Sequence, residues 1–69
     1  MVKIVFKKHA VMGDVIAVQR LLGEAGLEQK FKINGKRYTI RISVLGIEPG
    51  LSAQIRRMKG VSKITTSTA

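Results

Sequence analysis

Residues 2 to 8 alternate in character, with Val2, Ile4 and Phe6 on one side and Lys3, Val5 and Lys7 on the other. A period of two carried by β-branched and aromatic residues predicts a half-buried strand. From residue 11 the period lengthens. Val11, Val15, Val18, Leu22 and Ala25 recur at steps of four and three, with Leu21 beside them, which predicts one face of a helix over 11–25. Asp14 stands near its start, where the helix dipole favours an anion, and Gly26 suits a left-handed cap at its end.

The runs 27–33 and 36–45 flank Asn34-Gly35, the dipeptide favoured in a two-residue type I′ hairpin turn. Such a turn sets Ile33 opposite Lys36, Lys32 opposite Arg37, Phe31 opposite Tyr38, Lys30 opposite Thr39 and Glu28 opposite Arg41. The inner face then carries Phe31 and Ile33 against Tyr38, Ile40, Ile42 and Val44. The segment 46–50 breaks the pattern. Pro49 fits the first turn of a second helix, and Leu51, Ile55 and Met58 form its short apolar stripe. Arg56, Arg57 and Lys59 crowd the C-terminal end, where cations are favoured, and Gly60 stops the helix. Residues 61–66 predict a last strand with Ile64 inward and Lys63 outward, running from Thr65 into a frayed tail. The whole is one domain over 1–66, with 67–69 as tail.

The order β-α-β-β-α-β predicts an α+β, ferredoxin-like fold: a four-stranded antiparallel sheet in the order 4-1-3-2, with two helices on one face. The other face is then open, and charge changes the picture there. Lys3, Lys7, Lys30, Lys32, Arg37, Arg41 and Lys63 all fall on it, drawn from every strand. These are seven of the thirteen basic residues, which stand against four acidic ones for a formal net charge of +9. Only Glu28 shares the face; Asp14, Glu24 and Glu48 lie near helix ends. A polar, lysine-bearing sheet face also keeps strands soluble and blocks edge pairing. Yet cations placed opposite one another weaken a sheet, so a face this one-sided points to an anionic partner.

The chain of 69 residues has no cysteine, which excludes disulfides and thiolate metal sites. His9 is the single histidine, too few for a zinc site, and reads as an exposed loop residue. The four carboxylates show neither a paired acid–base spacing nor a metal-ligand one. Ser43, Ser52, Ser62 and Ser67 lack a nucleophile-elbow context. The segment 46–50 matches no phosphate or dinucleotide loop, and no GXXG clamp. No catalytic residue, metal or cofactor is expected, and no enzyme. The absence of a signal-peptide pattern and of an apolar run of about 20 residues predicts a cytoplasmic protein with no membrane partner.

Aromatic residues decide the mode of binding. RNA-recognition motifs stack bases on aromatics of the two central strands. Here the outward central positions are Val5, Thr39, Arg41 and Ser43, whereas Phe6, Phe31 and Tyr38 read as inward. Phosphate contacts would therefore dominate and sequence preference would be weak.

One family resemblance covers residues 1 to about 65. It lies in the strand 2–7, the helix ending at 22–27, the strand 38–46 and the ending Met58-Lys59-Gly60-Val61-Ser62-Lys63-Ile64. These segments resemble the N-terminal regulatory domain of one type of 3-deoxy-7-phosphoheptulonate synthase. The "Gly-Val then strand" ending is also common in ACT-type regulatory domains. The resemblance implies a ferredoxin-like fold. In that family the domain senses an aromatic amino acid and gates a separate barrel. Lys30 and Lys32 occupy the strand where the family places polar ligand contacts, so no ligand residues carry over.

The resulting expectation is a non-enzymatic module binding a polyanion, foremost nucleic acid, through Lys3, Lys7, Lys30, Lys32, Arg37, Arg41 and Lys63. Arg56, Arg57 and Lys59 form a secondary basic cluster. The alternatives are an ACT-like regulatory or protein-interaction domain associated with a biosynthetic enzyme, as a homodimer or with a partner protein, and a scaffold domain with no ligand.

Overall fold

The computed structural model describes residues 1–66. The elements are β1 (Val2–Phe6), α1 (Met12–Glu24), β2 (Gln29–Asn34), β3 (Arg37–Ile42), α2 (Pro49–Arg57) and β4 (Val61–Thr66). The four strands form one antiparallel sheet in the order β2-β3-β1-β4, so the predicted 4-1-3-2 order holds. Thr65 and Thr66 are not frayed. They pair with Lys3 and Val2 in the β1–β4 ladder. The predicted tail at 67–69 lies outside the described residues.

The core follows the two periods of the chain. Val2, Ile4 and Phe6 of β1 are fully buried, as are Ile40 and Ile42 of β3. Val15, Val18 and Leu22 of α1 and Ile55 of α2 join the same cluster, with Leu51, Met58 and Ile64 packed against it. Both helices thus bury their stripes against one face of the sheet. Val11 does not belong to the stripe. It is the N-cap of α1, in an extended conformation, and is 59% exposed. Ala25, at the C-cap, is exposed as well. Asp14 at the third helical position accepts the Val11 N–H at 3.1 Å, one half of a capping box. At the other end the Leu27 N–H reaches the Leu22 carbonyl and the Gly26 N–H reaches that of Gly23, both at 3.0 Å. With Gly26 at φ +75° this is a Schellman cap, which releases the chain toward β2.

The hairpin differs from expectation in its turn. Asn34 pairs with Arg37, so the two loop residues are Gly35 and Lys36 rather than Asn34 and Gly35. Gly35 has φ +65°, and among the described residues none other than glycine has positive φ. This is the signature of a type II′ turn, which asks positive φ only of its first central residue. A type I′ turn would have forced it on Asn34 too, at a steric cost. The register consequently moves by two residues. Lys32 faces Thr39 instead of Arg37, Phe31 faces Ile40 instead of Tyr38, and Lys30 faces Arg41 instead of Thr39. Because the shift is even, every side chain stays on its expected face. Phe31 and Tyr38 still meet diagonally, with ring centroids 5.6 Å apart. Both are only half-buried, and Ile33, expected inward, is 58% exposed. Phe31 and Tyr38 pack at the margin of the core cluster, and Ile33, nearer the hairpin end of the edge strand, lies beyond it.

Gly35 has open space where a Cβ would be built, so only its φ constrains it. Gly35→Val is expected to cost about 1–3 kcal/mol, and Gly35→Asn clearly less, since asparagine tolerates positive φ. Chemical denaturation of both variants measures the difference. Equal losses would contradict the turn assignment.

Candidate nucleic-acid interface

The ladders arrange the predicted cations in rows across the open face. Lys30 pairs with Arg41, and Arg41 with Lys3, so three cations stand side by side on β2, β3 and β1. Strands lie about 4.8 Å apart, so this row spans about 10 Å. The row continues to Thr65 on β4. The next row reads Lys32, Thr39, Val5 and Lys63. Arg37 follows beside Asn34 at the hairpin end.

Lys30, Lys32, Arg37, Arg41 and Lys63 are exposed, and Lys3 is half-buried. Thr39 is the exception on this face: it is only 6% exposed, and its hydroxyl donates to the Lys32 carbonyl at 3.3 Å. It forms the floor between the flanking cations. A bulge opposite Val5 and Phe6 admits Ser62 as an extra residue in β4 without turning Lys63 away.

Lys7 stands apart from the rows. It lies one residue past β1, its N–H bound to the Gly60 carbonyl at 2.7 Å. With His9, Ala10, Asp14, Lys59 and Gly60 it lines a cavity of about 240 Å³ at the end of the sheet. Arg56 and Arg57 are exposed on the last turn of α2, in the helical layer. They line a separate depression with Ile47, Pro49, Ser52 and Ala53. Lys59 thus sits with Lys7 rather than with its neighbours in sequence. Six of the seven face residues are brought together, and the secondary cluster divides in two.

The sequence reading missed a concavity at one end of the top row. Glu28, Lys30, Arg41 and Ser43 line it with Leu27 and Gln29, and it measures about 380 Å³. Extending the alternation outward from the Lys30–Arg41 pair would have found it, but only with the correct register.

No protein-family model and no curated protein matches this chain. The surface must therefore be read from its own chemistry. Among the described residues no group of histidine, cysteine, aspartate or glutamate side chains could hold a metal ion. No helix there is long and apolar enough to cross a membrane. What the face offers is dense positive charge on a rigid ladder, without an exposed aromatic ring.

That density carries a stability cost. Like charges directly opposite in a sheet repel, and a net charge of +9 on so small a body adds to the repulsion. Adding sodium chloride screens it. The melting temperature of the free protein is expected to rise by a few degrees between low and physiological salt. Thermal unfolding followed by circular dichroism checks this, and a melting temperature that falls with salt would contradict it.

Proposed function

We propose that this protein is a non-enzymatic, ferredoxin-like module that binds nucleic acid through the open face of its sheet. The observation that carries the reading is the row Lys30–Arg41–Lys3, three adjacent cations with no anion interposed. A surface that served only solubility would gain from mixed signs at these positions. A phosphodiester backbone supplies the missing negative charge at close, regular spacing. Lys32, Arg37 and Lys63 extend the contact, Lys7 stands at the end of the sheet beyond the rows, and Arg56 and Arg57 in the helical layer contribute only at long range. The lack of exposed aromatic side chains on the face favours backbone contacts over base stacking. Fluorescence polarisation with mixed-sequence oligonucleotides at two salt concentrations tests the reading. Binding that weakens steeply with salt supports it, and no binding at low salt overturns it.

A second reading rests on a different part of the molecule. Ile33 is 58% exposed beside the half-buried Phe31–Tyr38 pair, at the free edge of β2. This apolar edge suits a protein contact, as in an ACT-like regulatory or interaction domain. Sedimentation of the protein with and without aromatic amino acids separates the two readings.

A further inference from the structure

One group on the proposed interface opposes its purpose. Glu28 is exposed, immediately precedes β2 and falls by alternation on the same side as Lys30. A carboxylate there repels phosphate. Its side chain has no hydrogen-bond or ion-pair partner among the described residues, so no internal contact explains it. It lines the concavity of about 380 Å³ together with Lys30, Arg41 and Ser43. The site therefore holds two cations, paired directly across the ladder, with a carboxylate and a hydroxyl one step further out. Two residues along a strand cover about 7 Å, comparable with one extended nucleotide.

A carboxylate accepts hydrogen bonds and cannot donate them, and a serine hydroxyl does both. The group that satisfies them next to a phosphate is a sugar hydroxyl. Glutamate and aspartate take ribose hydroxyls in this way beside the phosphate site of dinucleotide-binding folds. The 2′-hydroxyl, both donor and acceptor, is what distinguishes RNA from DNA at a given site. We infer that Glu28 and Ser43 form a ribose-hydroxyl pocket beside the Lys30–Arg41 phosphate pair, and that the protein prefers single-stranded RNA to single-stranded DNA. This inference rests on the nucleic-acid reading of the same face.

The test compares a fluorescein-labelled single-stranded RNA with the DNA of the same base sequence, carrying deoxyuridine in place of uridine. The parent is expected to bind the RNA about three- to tenfold more tightly, the scale of one or two partly exposed hydrogen bonds to a charged group. Glu28→Ala removes an anion and should raise affinity for both strands, so the ratio is the readout. That ratio should fall to near one in Glu28→Ala and decrease in Ser43→Ala. Both residues are exposed, and an unchanged melting temperature confirms folding of each variant. Equal, salt-sensitive binding of RNA and DNA by the parent would overturn the ribose pocket and leave nucleic-acid binding standing. An RNA preference that survives both substitutions would overturn the placement of the pocket. Absence of binding to either strand would overturn the underlying reading and this inference with it.

Discussion

Gly60→Ala is expected to destabilise the protein by about 2–4 kcal/mol. Two independent effects add at this position. Gly60 has φ +87°, a conformation that L side chains rarely adopt. A Cβ built there would also stand 2.7 Å from Asp14 Oδ2 and 2.9 Å from Asp14 Cβ. Asp14 cannot yield freely, because its carboxylate accepts the Val11 N–H that starts α1. Displacing it would take the capping bond with it. Domains of this length have total stabilities on the order of 3–10 kcal/mol, so the loss removes a large share of what holds the fold. Gly23→Ala supplies the opposite sign. Gly23 lies inside α1 with nothing within 4 Å of a built Cβ. Alanine there should stabilise by about 0.5–1 kcal/mol through helix propensity. Urea unfolding of the two variants should move the midpoint in opposite directions. A Gly60→Ala midpoint equal to that of the parent would show that the turn before β4 does not press on the α1 cap. Gly60→Asn should rescue little, since the close approach begins at Cβ; at Gly35 only φ is at stake.

The second large effect concerns binding. If about five face cations reach phosphates together, counterion release sets a log–log salt slope of about −4 to −5 on duplex and about −3 to −4 on a single strand. Replacing Lys30 and Arg41 together by glutamine is expected to weaken binding about tenfold or more and to flatten the slope by up to about 2. The loss should be similar for every base sequence. The same double variant removes a directly facing like-charge pair. Its stability should therefore be unchanged or slightly higher, by a few tenths of a kcal/mol. Loss of binding with retained stability marks a surface that serves a partner. Titrations at several salt concentrations, with a melting curve on the same sample, measure both. An unaltered slope would move the contact to Arg56 and Arg57 or to the Lys7–Lys59 end.

The chain's two periodicities were enough for the elements and for the assignment of faces. Val2, Ile4 and Phe6 alternate, and Val15, Val18 and Leu22 recur at helical spacing, because burial on one side of a strand or helix imposes those periods. Glycine and proline placed the boundaries, as Gly26 at the α1 cap and Pro49 at the start of α2 show. The basic face was legible for the same reason: alternation assigns a side without needing a register.

Which cations stand together was not legible. The hairpin slipped by two residues because a type II′ turn needs positive φ only at Gly35, a choice between backbone energies that the dipeptide Asn34-Gly35 leaves open. That slip made Lys30 and Arg41 partners and brought Glu28 and Ser43 into one concavity. Ile33 had the right parity and still came out exposed, because parity sets the side of a sheet while the reach of the core sets its cover. The contact of Gly60 with Asp14 joins residues 46 positions apart, and Lys7 and Lys59, 52 positions apart, line one cavity. Local sequence encodes periods and turns, which act over a few residues. Distances between elements depend on how the strands and helices pack, and only the assembled tertiary structure decides them.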